Sequence, residues 1–187
     1  MKKTAGIVAA LLLTVIAHSQ EYWFDDLPWL SSREEVTAIM TEKGYVFEID
    51  EKTERNITGY TGRIADEDAH VVAVYSPEGL VRMIVVLLVE GSVIRKFRDV
   101  RDILTEEYGE PDYGGEIFTL PYKDGDGYEE QAIRLGKASF FSAWEGKEGS
   151  ILGIHVTKGL KIQIIFDSPY GAAEYERLKK ESVSRSP

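Results

Sequence analysis

The most constraining stretch of this chain is residues 83–89, Met-Ile-Val-Val-Leu-Leu-Val, seven apolar residues in a row of which four are β-branched. β-Branched side chains favour extended backbone, and a strand points alternate side chains to opposite faces, so both faces of this one are apolar. Such a strand belongs in the middle of a sheet with something packed on each side. A second β-branched run, residues 71–75, is joined to it by Ser76-Pro77-Glu78-Gly79. Proline presets φ and glycine allows the left-handed position, so the two runs are expected to pair as a hairpin.

Around this hairpin the chain reads as two rounds of helix followed by strands. Ser31 and Ser32 precede Glu34 and Glu35, and Val36, Ile39 and Met40 then recur at helical spacing until Gly44, which predicts a capped first helix. Residues 45–49 alternate as a half-buried strand does, residues 56–63 follow as a second strand, and Asp66-Glu67-Asp68 reads as a turn. In residues 92–108, Val93, Phe97, Val100, Leu104 and Tyr108 line one helical face, with Gly109 and Pro111 ending it. Residues 118–122 and 130–135 read as weaker strands around the polar loop 123–127. Stronger ones follow at 138–144, 151–156 and 160–166. Ser168-Pro169 opens a short third helix through Lys180, and residues 182–187 are expected to be loose. Residues 39–43 and 103–107 echo each other at a period of 64 residues, each closing a helix. The expected fold is α+β, one domain over residues 20–181, with helices on one side of antiparallel sheet and two tandem helix-then-strands repeats over about 31–90 and 92–167.

The first twenty residues predict an address. A basic start, Met1-Lys2-Lys3, precedes thirteen uncharged residues, 5–17, too few to span a bilayer as a helix, which is the pattern of a signal peptide over residues 1–19. Ala17 and Ser19 are small residues placed for cleavage before Gln20, and Val15 with Ala17 would allow it before His18. The mature chain is then expected to be periplasmic or extracellular, with no further stretch apolar enough to cross a membrane.

Composition excludes several chemistries. The 187 residues carry 32 acidic and 22 basic side chains, a formal charge of −10, which repels a phosphate backbone and argues against nucleic-acid binding. The absence of cysteine excludes disulfides, thiolate nucleophiles and cysteine-ligated metals. Within the expected mature chain only His70 and His155 remain as imidazole ligands, 85 residues apart and in no metal-binding spacing. No G-x-S-x-G elbow and no glycine-rich phosphate loop is present. Adjacent acids such as Asp25-Asp26, Glu34-Glu35 and Glu129-Glu130 are expected from so acidic a surface. The loop from Asp124 to Glu130 fails as an EF-hand, because Tyr122 and Ile133 fall at ligand positions, and leaves a looser calcium site open at Asp124 and Asp126 or at Asp66 and Asp68. No catalytic residue and no cofactor is indicated.

The phrases Leu27-Pro28-Trp29-Leu30-Ser31-Ser32-Arg33-Glu34-Glu35-Val36 and Leu104-Thr105-Glu106-Glu107-Tyr108-Gly109-Glu110-Pro111 resemble stretches of exported bacterial proteins of unassigned role. Those proteins are similar in style to the repeated helix-plus-strands folds of β-lactamase-inhibitor protein and of the small outer-membrane assembly lipoprotein SmpA/BamE. The resemblance implies a scaffold for protein contact over about residues 27–168 and carries no functional residue with it. The missing lipidation cysteine departs from the lipoprotein pattern.

What remains is aromatic. Trp23, Phe24 and Trp29 cluster ahead of the first helix, and Trp144 ends a strand beside a polar turn. Rings of this kind either cover sheet or anchor a partner, so these four residues are the candidate partner-binding positions. The expected function is a non-enzymatic exported domain that binds another envelope or secreted protein. The rival reading is a carbohydrate-binding or glycoside-cleaving domain with aromatic platforms and a carboxylate pair.

Overall fold

The computed structural model of the chain describes residue 22 and residues 24–48 and 56–171. They form one eight-stranded antiparallel sheet carrying three helices on a single face, an α+β fold. Helix α1 (Arg33–Glu42) leads into β1 (Val46–Glu48), β2 (Ile57–Ile64), β3 (Glu67–Ser76) and β4 (Gly79–Leu88). Helix α2 (Val93–Tyr108) leads into β5 (Tyr113–Phe118), a short α3 (Glu129–Arg134), β6 (Ala138–Glu145), β7 (Ile151–Val156) and β8 (Ile162–Asp167). The strand order is β1-β2-β3-β4-β8-β7-β6-β5, so two meanders of four strands meet at a β4–β8 seam. Residues 1–21, Trp23 and residues 172–187 lie outside the described part, and with them the expected leader, most of the expected third helix and the expected loose end.

Local chemistry accounts for the helices. Ser32 Oγ accepts the Glu35 N–H at 3.3 Å while Glu35 Oε2 accepts the Ser32 N–H at 2.8 Å, a reciprocal capping box. That contact holds the Glu35 carboxyl below its ordinary value. Ser92 caps α2 through the Arg95 N–H, and Gly109 closes it at φ 87°, a conformation glycine adopts without a Cβ clash. The apolar stripes of α1 and α2 then pack on β2–β4 and β6–β8. Val36, Met40, Phe97 and Val100 sit against Tyr60, Val71, Met83, Phe140, Ile154 and Ile164 in a single core. Phe97 and Phe118 both meet the Phe140 ring edge-to-face, at 5.9 Å and 5.6 Å.

Between the two helices the chain ahead of α1 acts as a strap. Phe24 packs edge-to-face on Phe166 of β8 at 5.6 Å and against Tyr45, Tyr22 meets Tyr108 at the end of α2 at 5.3 Å, and Leu27 is fully buried. Leu30 N–H donates to the Leu80 carbonyl and Leu80 N–H to that of Ser31, at 2.8 Å and 2.9 Å, which fastens the strap to β4. The approach is so close that a Cβ on Gly79, whose φ is 136°, would collide with the Leu30 backbone.

Several elements depart from expectation. Residues 130–135 are not a strand but the core of α3: Ala132 and Ile133 are neighbours and both buried, which a helical turn permits and a half-buried strand does not. Strand β5 begins five residues before the expected strand at 118, hidden by Gly114 and Gly115, which carry little strand preference. Gly114 lies against Ser142, where a Cβ would come within 2.9 Å of its Oγ. The expected turn at 66–68 is a two-residue turn of Ala65 and Asp66, with φ 51° and 64°, and Glu67 and Asp68 already belong to β3. β1 is a three-residue edge strand with all positions exposed, because Tyr45 turns inward to cover Gly62 instead of joining it. Leu160, at φ 56°, sits in the turn before β8 and not in the strand.

The strap joins the two halves through rings buried on one side of the seam. Phe24→Ala is therefore expected to lower the free energy of unfolding by about 3 kcal/mol in urea titration, the loss typical of a buried phenylalanine. An unchanged midpoint would show that the strap contributes nothing to the fold.

Candidate functional site

The second face of the sheet is bare. Along β4 the side chains of Leu80, Met83, Val85 and Leu87 are buried under the helices, whereas Arg82, Ile84, Val86 and Leu88 alternate to the other side and stay half-exposed. The expectation that both faces of this strand are covered therefore fails for the second face among the described residues. A Cβ built on Gly59 or Gly153 of this face would meet no described atom within 4 Å.

The ladder registers arrange this face in rows that run straight across the sheet. One row reads Glu48, Gly59, Val72, Ile84, Ile165, Gly153, Ala143, Tyr113, from β1 to β5 in sheet order. The next reads Val46, Thr61, His70, Val86, Gln163, His155, Phe141, Gly115. On the other side lie Ile57, Val74, Arg82, Asp167, Ile151 and Glu145. The centre of the face carries one charged pair, Arg82 with Asp167, bonded twice at 3.2 Å and 2.6 Å. Bulk is unequal: valines and isoleucines fill the β2–β4 half, while Gly153, Ala143 and Gly115 leave hollows in the other.

Both described histidines belong to the same row and straddle the seam, about 14 Å apart from three interstrand steps. His70 Nδ1 lies 3.6 Å from Glu48, not against the acidic turn beside it in sequence. His155 is half-buried between Phe141 and Gln163; burial lowers its pKa from the ordinary value, partly opposed by its hydrogen bond to Gln163.

The four aromatic candidates are not gathered into a site. Trp144 is a core residue at 1% exposure, its Nε1–H donating to the Gly109 carbonyl at 2.7 Å; it braces the end of α2 and offers no surface to a partner. Phe24 is equally a core residue, at 6%. Trp29 is half-buried on the strap with its Nε1 enclosed, and Trp23 lies outside the described residues. The signal for the bare face was present in the apolar alternate positions of β3, β4 and β8, but periodicity does not say which of two apolar faces is covered.

Other chemistry is committed elsewhere. Asp126 accepts the backbone N–H groups of Lys123 and Tyr128, Asp124 pairs with Arg98, and Glu129 accepts the Gly125 N–H. Glu67 points to Lys96 on the helical side while Asp68 alternates to the open face, so neither expected calcium position gathers ligands. No group of three or more His, Asp or Glu side chains among the described residues is placed to hold a metal ion. Arg98 and Arg101 of α2 clasp Glu116 of β5, and that contact raises the Arg98 pKa further. A buried chain links Thr37, Tyr60, Thr58 and Tyr75 by hydroxyl bonds of 3.0–3.3 Å, and burial raises the Tyr75 pKa.

Two open depressions lie off the face centre. One, of about 550 Å³, sits where the β6–β7 ladder ends at Phe141 and His155, with Ser139, Thr157 and Lys158 along it. The other, of about 460 Å³, lies between α2 and β5 and holds Asp102, Glu110 and Asp112. Asp102 is paired to Arg101, Asp112 accepts the Glu145 N–H at 2.8 Å, and no aromatic ring lines it.

No protein-family model, curated protein or solved structure matches this chain. No helix among the described residues is long and apolar enough to cross a membrane.

Because the folded state depresses the His155 pKa, the unfolded chain takes up its proton first on acidification. The stability due to neutral His155 is complete above the unfolded value, near 6.5, and is lost as pH falls through the folded one. His155→Gln is expected to flatten the decline in melting temperature between about pH 7 and pH 5.5. A variant with the wild-type slope would remove His155 from the acid response.

Proposed function

We propose that this chain is an exported, non-enzymatic binding domain that meets another envelope or secreted protein through the bare face of its sheet. The observation that carries this reading is the row Val72, Ile84, Ile165, Gly153, Ala143, apolar and uncharged across five strands with no described residue over it. Antiparallel sheets commonly leave one face to water, but that face is then polar. Contiguous apolar surface on a folded domain marks an interaction site. The two-unit layout, each helix followed by four strands, is in keeping with the protein-contact scaffold that the sequence resemblance implies. Export rests on the basic start and the uncharged stretch of residues 5–17.

The rival, a glycoside-cleaving domain, draws its support from the three acids of the depression beside α2. Sugar cleavage needs one carboxyl free to give a proton and another to act on the ring, commonly with a platform for the sugar. Asp102 and Asp112 are each engaged with a donor, and the rings that would supply a platform are elsewhere.

Two measurements test the proposal. The protein isolated from its native host is expected to begin at Gln20, read by N-terminal sequencing; retention of Met1 would overturn export. Purified protein is expected to turn over no ester, peptide or glycoside substrate, and capture of a partner from the native envelope is expected to fall at least tenfold for Ile165→Glu, about 1.4 kcal/mol or more. Turnover abolished by Asp112→Asn would transfer the function to the acidic depression.

A further inference from the structure

We propose that the molecule docked on the bare sheet face is a second copy of this chain, the two sheets stacking face to face about a two-fold axis along the β4–β8 seam. The inference rests on the reading of that face as a protein-docking surface and adds the identity of the partner.

Size comes first. Eight strands at about 4.8 Å spacing and six residues of about 3.3 Å rise make a face of roughly 750 Å². A standard interface takes about 800 Å² from each partner, so two such faces suffice for a stable dimer. Charge comes second. The chain as a whole carries −10, and two copies repel each other over most of their surface. The centre of the bare face is where this repulsion is absent, its one acid being paired with Arg82.

Shape and sign then select the axis. A two-fold along the seam sets each position of one copy opposite its mirror position across the seam in the other. In the first row Val72 of one copy faces Gly153 of the other, Ile84 faces Ile165, Gly59 faces Ala143, and Glu48 faces the hydroxyl-bearing Tyr113. The fuller half of one sheet thereby meets the hollows of the other. In the charged row Arg82 of one copy faces Asp167 of the other, so the two internal pairs close into a ring of alternating charge. An axis across the strands would instead set Gly153 on Gly153 and leave a void. Self-complementarity of this kind is what an isologous two-fold interface requires.

The test uses the full chain and its lack of cysteine. Light scattering on gel filtration is expected to give a dimer that dissociates on dilution, and Ile84→Glu or Ile165→Glu to yield monomer with unchanged near-ultraviolet circular dichroism. Val72→Cys and Gly153→Cys, prepared separately and mixed, are expected to cross-link with a short bismaleimide far more than either alone, since the axis keeps identical positions apart and brings the unlike pair together. A monomer up to about 100 μM, where even a weak specific pair would form, overturns the inference. So does a dimer indifferent to both glutamate variants, or cross-linking as strong for a single variant as for the mixture. If the monomer still captures an envelope partner in a manner lost on Ile165→Glu, only the identity of the partner falls and the docking face stands.

Discussion

The pairing of β4 with β8 is the contact on which the rest of the architecture depends. It is the one ladder that joins the two meanders, in register from Arg82–Asp167 to Leu87–Ile162. Every other ladder is between strands that follow one another closely in sequence. By fixing which residues of each half face the helices, this ladder also fixes which face water. Met83, Val85, Ile162, Ile164 and Phe166 go under the helices and strap, and Ile84, Val86, Gln163 and Ile165 go to the bare side. A slip of one residue would exchange these sets and strip the core of its central rows.

The helical side was largely legible from sequence because its signals are local. Ser32 with Glu35, and Ser92 with Gly109, are capping chemistry that operates within a few residues, and the α1 and α2 stripes need only a 3.6-residue period. The hairpin of β3 and β4 likewise announces itself through Pro77 and Gly79. What escaped depends on distant partners. Gly114 and Gly115 form strand because β6 pairs with them, Ala132 and Ile133 turn as a helix because both can be buried against β6, and Trp144 is inside because the Gly109 carbonyl waits for its indole. The aromatic residues ahead of α1 looked alike in sequence, yet Phe24 is core and Trp29 only half so.

The same limit applies to function. A strand apolar on both faces says that both are to be covered, and it does not say by what. Here three helices and a strap cover one side, and on the other the described chain supplies nothing. The acids that make the protein so negative are mostly spent on ordinary tasks. Glu116 holds α2 to the edge strand, Asp126 shapes its own loop, and Glu35 caps a helix. This is the pattern of a protein whose specificity lies in surface shape.

The seam also sets an order of events during folding. The hairpins on either side close loops of a few residues, whereas β4 and β8 must find each other across a separation of about 80 residues, and long closures are the slow ones. Each meander can therefore take shape while the other is still being made or threaded, with the last, rate-limiting step their zipping together under the strap. Cutting the chain near Gly91, in the turn between β4 and α2, would leave each fragment with its helix and all four of its strands. The two pieces should reassemble in solution, so this protein could be handled as a split pair.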